Sequence, residues 1–139
     1  MTSPQLDLTS TGARALVGYD IETDPQGDVL VSLSIGGQHL NRVDTLHGGI
    51  VSMLLDTAMG VAASRHFQTG DSLPQVVTLS LTTDFLSAAP SGQRVVARGW
   101  IDGGGHKICY AKAELRGEAE EGRLYASGSS VLKRVRDRE

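Results

Sequence analysis

Apolar positions in this chain follow two patterns. From Leu46 to Ala63 they form an almost unbroken run, interrupted by His47-Gly48-Gly49, Ser52, Asp56-Thr57 and Gly60. Elsewhere they alternate with polar positions. The run is too long for a typical strand, and its Leu, Met and Ala residues favour helix. It predicts a helix from about Gly49 to about His66, with most of its surface buried. Val29, Val31, Leu33 and Ile35 alternate and predict a half-buried strand. Tyr19 to Thr23 is a shorter strand. Beyond the helix, four alternating segments follow at 77–85, 93–101, 106–115 and 123–135, with no helical pattern between them. In the first, Val77, Leu79, Leu81 and Phe85 are expected on one face and Thr78, Ser80, Thr82 and Asp84 on the other.

The punctuation between these elements is polar or glycine-rich. Thr9-Ser10-Thr11 can cap a short helix over Ala13 to Leu16 that ends near Gly18. Asp24-Pro25-Gln26-Gly27-Asp28, Gly36-Gly37 and Gly103-Gly104-Gly105 read as turns. His39 to Leu46 is a polar loop. Residues 1–8 are expected to be loose and residues 136–139 frayed. The reading is therefore one α+β domain over 1–139. In it, an antiparallel sheet of five or six strands wraps around one long central helix. The last four strands form a meander joined by hairpin-length connections. A helix that is apolar nearly all round needs wide cover, and a curled sheet supplies it. The sheet's open edges suit coverage by a second copy, which favours a dimer.

Composition narrows the function. Hydrophobic residues make up 40% and charged residues 21%, ordinary for a globular domain. Aromatics are only 4%, so the core must be built from Val, Leu, Ile and Ala. A net charge of −3 gives no basic bias toward nucleic acid. The single cysteine, Cys109, cannot form an intrachain disulfide and fits a reducing, cytoplasmic setting. No signal peptide is expected, and the central run is too interrupted to span a membrane. Cys109 has no evident base beside it and reads as a small core residue. His39, His66 and His106 lack metal-ligand spacing, so no metal is expected.

Two features of the central run carry chemistry. His47-Gly48-Gly49 opens the helix, where the first backbone N–H groups lack partners and the dipole favours negative charge. Such a start can hold a developing oxyanion; it can equally be a tight loop-to-helix turn that His47 caps. Asp56, the run's lone carboxylate, is costly there unless bonded or used. Its place is either structural, bonded to a nearby Ser or Thr, or chemical, attacking a carbonyl or activating water. Burial raises the pKa of such a group and a facing helix N-terminus lowers it. Asp56 comes nine residues after His47, roughly 13 Å along a helix axis. The two cannot act on one carbonyl within one chain. If both are functional, they meet across a two-fold axis.

His47-Gly48-Gly49 followed by Asp56-Thr57-Ala58-Met59-Gly60 resembles the central-helix motif of hotdog-fold acyl-CoA thioesterases. It is most similar to their PaaI-like, phenylacetate-pathway branch and to aryl-CoA thioesterases. The resemblance runs from about Gly18 to Val135. It includes Asn41, six residues before His47, and the segment Val77 to Leu86. It implies hydrolysis of an acyl-CoA or aryl-CoA thioester to free acid and CoA, with no cofactor beyond the CoA of the substrate. It implies Asp56 as catalytic carboxylate and the Gly48 N–H as oxyanion donor from the partner subunit. His47 and Asn41 would position the thioester or the water, and Thr78 would help orient the water. Gly49 lets a ligand approach the backbone closely. Gly105 and Lys107 lie in a hairpin that in that family often contacts CoA, and read equally as a plain glycine-rich turn. Lys133, Arg134 and Arg136 form a small basic cluster, either reaching the CoA phosphates or simply a solvated strand end. The resemblance also implies a dimer of dimers. Arg42-Val43-Asp44-Thr45-Leu46 departs from the Pro and Gly common in that loop. Two other functions remain open: an acyl-thioester hydratase or dehydratase on the same fold, and a non-catalytic acyl-thioester-binding protein.

Overall fold

Small residues set how closely helix and sheet approach, and here they set it tightly. The computed structural model describes residues 12–119 and 123–135. The elements are α1 (Gly12–Val17), β1 (Asp20–Thr23), β2 (Val29–Ser34), a 3₁₀ turn (Gly37–His39) and α2 (Gly48–His66). They continue with β3 (Val76–Phe85), β4 (Arg94–Gly104), β5 (Ile108–Gly117) and β6 (Leu124–Arg134). All six strands form one antiparallel sheet in the order β1-β2-β4-β5-β6-β3. Helix α2 packs against five of them, β2 to β6.

The buried stripe of α2 is Val51, Leu54, Leu55, Ala58, Met59, Ala62 and Ala63, at the spacing of one helical face. Beneath it lie Val31, Leu33, Val95, Ala97, Ala111, Ala113 and Leu115. At Gly99 a Cβ would stand 2.6 Å from the Ala58 carbonyl oxygen, so only glycine admits the helix there. The opposite flank of α2, carrying Ser52, Met53, Asp56, Thr57, Gly60 and Ser64, is only half-buried. Cover of α2 is thus less complete than the sequence pattern suggests, because one six-stranded sheet reaches only part of its circumference.

The sequence boundaries hold for β1, β2 and α2, and three expectations need correction. The last four strands are not a simple meander: β3 pairs with β6, and β4 pairs with β2 and β5. The connection after β3 is held elsewhere, which prevents a hairpin. Leu46 donates its N–H to Ala89 O, and Leu86 and Ser87 donate theirs to Tyr125 O. This carries the chain past the start of α2 to the other side of the sheet. The alternation of β3 breaks at Leu79, where a bulge separates Thr78 from Ser80. Thr78 bonds to α2 before the bulge and Thr83 bonds to it after. Thr78, Leu81, Thr83 and Phe85 therefore share the helix face. Finally, Gly103 and Gly104 lie inside β4 at φ 147° and 129°, and the turn begins at Gly105.

Cys109 falls in the core, as the sequence suggests, whereas His39, expected in a polar loop, closes a 3₁₀ turn and packs inside. Cys109 is fully buried, and burial pushes its thiol pKa up. His39 is also buried; its Nδ1 accepts the Gly36 N–H at 2.9 Å and its Nε2 lies 2.7 Å from Val17 O. Among the described residues no helix is long and apolar enough to cross a membrane. Among them, too, no group of three His, Cys, Asp or Glu is placed to hold a metal. The expected cap at Thr9-Ser10-Thr11, the loose start and the frayed end lie outside the described residues.

Candidate functional site

The start of α2 is built by the loop before it. Asn41 Oδ1 accepts the N–H groups of Val43 and Thr45 at 3.0 and 3.1 Å. Its Nδ2 donates to Thr45 Oγ1 at 2.9 Å. Asp44 takes φ 60°, a left-handed conformation that Asp tolerates better than most side chains. That lets this loop turn without a glycine. His47 then caps α2: its Nδ1 accepts the Gly49 N–H at 2.8 Å. Its carbonyl takes the N–H groups of Ile50 and Val51. Of the first four amides, three are thus satisfied. Among the described residues nothing accepts the Gly48 N–H, which is the donor left at the positive end of the helix.

Gly48 opens onto a cavity of about 350 Å³ lined by Asn41, Leu46, Val51, Phe85 and Leu86, among others. Phe85 stands over it: a Cβ on Gly48 would come 3.3 Å from the ring. The sequence pattern gives Phe85 no role beyond its strand. Its position follows from the bulge at Leu79 and is therefore legible only in the fold.

Two turns further along, Asp56 lies half-buried on the open flank of α2. Thr78 Oγ1 donates to Asp56 Oδ1 at 2.8 Å. Among the described residues Oδ2 has no partner, so it can accept a proton or attack an electrophile. Asp56 and Thr78 line a second cavity of about 520 Å³, with Tyr19, Ile21, Gly60, Val61, Leu73 and Val76 among its other walls. Among the described residues none lines both cavities. The fold therefore joins Asn41, His47, Gly48 and Gly49 in one group and Asp56 and Thr78 in another, and does not merge the two within one chain.

The basic candidates form a third group. Val76 pairs with Arg134, Val77 with Lys133, and Ile108 with Lys133. Arg134 donates its N–H to Lys107 O at 2.9 Å. Lys107, Lys133 and Arg134 are exposed, and among the described residues none is paired with a carboxylate. Gly105 sits beside them, its carbonyl 3.1 Å from His66 Nε2. β3 runs from Phe85 beside Gly48, past Thr78 beside Asp56, to Val76 beside Arg134. The basic group therefore lies on the Asp56 side of the molecule. Arg136, which the sequence adds to this cluster, lies outside the described residues.

A family model described as the thioesterase superfamily matches residues 44–124. A Pseudomonas aeruginosa protein provisionally named an esterase is 34% identical over 132 residues, covering 94% of this chain and 88% of its own. The E. coli PaaI protein of the phenylacetic acid degradation operon superposes with TM-score 0.79 at 22% identity, covering 91% of this chain and 86% of that one. A Bacillus halodurans protein crystallised with CoA superposes with TM-score 0.82 at 25% identity, covering 94% and 83%. The six-stranded sheet around α2 is the hotdog fold, and the chain belongs to the thioesterase superfamily.

Proposed function

We propose that the protein hydrolyses an acyl-CoA or aryl-CoA thioester, at sites assembled from two copies of the chain. The observation that carries this is the pairing of two unfinished halves on one helix. Gly48 offers an unused N–H at a capped helix start. Asp56, fixed by Thr78, offers an unused carboxylate oxygen in a separate cavity. Each half needs the other, and a two-fold axis supplies it twice.

In this reading the thioester carbonyl oxygen points at the Gly48 N–H. The helix dipole and that donor stabilise the oxyanion as it forms. The Asp56 carboxylate of the other subunit delivers the attacking oxygen, either its own or that of a water it deprotonates. The C–S bond breaks and the CoA thiolate takes up a proton; on the direct route a water then cleaves the acyl–Asp56 anhydride, so either route consumes one water and releases the free acid. Thr78 holds one carboxylate oxygen and so aims the other. His47 and Asn41 position the thioester indirectly, by setting the cap and the loop that present Gly48. Gly49 makes room for the cap itself, since a Cβ there would stand 3.0 Å from His47 Nδ1. Lys107, Lys133 and Arg134, with Gly105, meet the CoA phosphates. That the Bacillus halodurans relative was crystallised with CoA supports this assignment of the ligand.

The exposure of β3 supports a dimer. This strand is a sheet edge with unpaired backbone groups, and Val77, Leu79, Leu81 and Phe85 on it are 45, 53, 37 and 60% exposed. A soluble monomer seldom leaves such an edge open. A second copy's β3 would cover it and bring the two α2 helices side by side; pairing of dimers into a tetramer completes the reading.

The deciding experiment follows thiol release over a panel of acyl- and aryl-CoAs. Wild type should turn over at least one, and Asp56→Asn should lose about 10²–10⁴-fold in kcat. Full turnover by Asp56→Asn would overturn the mechanism. Binding without turnover anywhere on the panel would identify a thioester-binding protein instead. Hydration of an enoyl-CoA in place of thiol release would identify a hydratase. Light scattering that shows a stable monomer would sink the shared site.

A further inference from the structure

Gly60 is in a place where glycine is costly and where packing does not ask for it. Mid-helix glycine is about 1 kcal/mol less favourable than alanine. At Gly99 in β4 and Gly128 in β6, where glycine weakens a strand, the reason is visible: a Cβ would meet Ala58 O at 2.6 Å and Met59 at 3.3 Å. At Gly60 an added Cβ meets nothing within 4 Å. The space it would enter is the cavity of about 520 Å³ that also holds Asp56 and Thr78. Gly60 follows Asp56 by four residues, so the two sit one above the other on the same flank of α2, roughly 6 Å apart along the axis. The walls beyond it are largely apolar: Tyr19 and Ile21 from β1 and its approach, Val61 from α2, Leu73 and Val76 from the entry to β3.

We infer that Gly60 sets the depth of the acyl pocket: the acyl group of the substrate runs from Asp56 past Gly60 toward Tyr19 and Leu73. The missing side chain leaves room for a group larger than acetyl. The alkyl or aryl portion is recognised by shape and burial, since Ser64, Thr57 and Gln75 are the other polar lining groups and none carries charge. This inference rests on the reading of Asp56 as the residue that meets the thioester.

The test replaces the missing volume. Gly60→Leu is compared with wild type on the shortest and the longest acyl-CoA that wild type hydrolyses. The kcat/KM for the longer substrate should fall at least about 10-fold further than that for the shorter, since even one methylene in a pocket changes discrimination 10–200-fold. Gly60→Ala should shift the same ratio in the same direction by less, and it serves if the leucine variant does not fold. An equal fall on both substrates, or no change on either, overturns the inference while leaving the hydrolase reading intact. If wild type hydrolyses nothing, the hydrolase reading fails by itself. Acetyl-CoA and a longer acyl-CoA are then compared by calorimetric affinity, where an equal effect of the substitution overturns the pocket and a length-selective loss supports it.

Discussion

The two ends of interest on α2 differ in how they are made. The N-terminal half, His47 to Gly49 with Asn41 before it, is built by local contacts. The side-chain hydrogen bonds that shape it span four residues or fewer, from the Asn41 turn to the His47 cap, and the His47 N–H reaches back eight residues to His39 O; only the Leu46 bond to Ala89 O ties it to a distant segment. The middle half is built at long range. Asp56 is held by Thr78, 22 residues away, and its cavity draws walls from β1, α2 and the approach to β3. One half presents backbone, which no side-chain substitution removes except proline. The other presents a side chain, which any substitution removes. The difference makes the halves separable by experiment.

The largest effect should come from breaking each half in turn and then mixing the products. Gly48→Pro removes the amide donor and little else. Proline is favoured at the first helical position, and His47 before it is already extended at ψ 133°. It should cost about 10²–10³-fold in kcat, whereas Gly48→Ala, which crowds Phe85 equally but keeps the N–H, should cost far less. Refolding Gly48→Pro together with Asp56→Asn should restore about one quarter of wild-type activity, because half the dimers are mixed and each has one intact site. No restoration would place both residues in a site within one chain.

A smaller effect should follow at Thr78. Thr78→Val leaves Asp56 Oδ1 without its donor and should lower kcat roughly 10-fold with little change in KM. Thr78→Ser should recover most of it, which a purely steric role would not allow. Gly99→Ala sharpens the comparison through the scaffold. The added Cβ meets Ala58 O and should destabilise the fold by about 1–3 kcal/mol in a denaturant melt. Because Ala58 adjoins Asp56, it should disturb the middle half more than the capped start.

The smallest effect belongs to a region remote from both halves. Asp24 bonds Arg98 and accepts the Gln26 and Asp28 N–H groups at 3.0 and 2.9 Å. Burial pushes its carboxyl pKa up, but the Arg98 and backbone hydrogen bonds outweigh this and hold it below the usual carboxylate value. A lowered pKa stabilises the fold above the unfolded value, about 3.9, and that stabilisation is lost as pH falls through the folded value. Asp24→Asn should therefore narrow the gap in melting temperature between pH 6 and pH 3, and leave the kinetics at both halves unchanged.

How much could be read beforehand tracks the same divide. The helix, the cap at His47 and the spacing that keeps His47 from Asp56 are local in sequence and legible there. So is the alternation of β2, because Val29, Val31, Leu33 and Ile35 all face one core. Phe85 over Gly48 is not legible: it depends on a one-residue bulge at Leu79 that reverses the faces of β3. Nor is the strand order, because whether Val76–Phe85 pairs with its successor or with β6 depends on where residues 86–93 are anchored. Those anchors, Ala89 and Tyr125, are distant partners. Lys107 reads as unconnected with the Lys133-Arg134 pair until the β5–β6 and β3–β6 registers bring all three to one end of the sheet.

The sequence by itself determined that one long apolar helix would start with a histidine and two glycines and carry a lone carboxylate nine residues on. Helix rise alone then separates those groups by more than one carbonyl can bridge. Only the tertiary structure decided that the carboxylate meets Thr78, that the Gly48 N–H is the one left without an acceptor, and that Gly60 borders open space. Those facts depend on which strands the sheet places against each flank of α2. Pairing register and bulges set that placement, and they are fixed by contacts far apart in the chain.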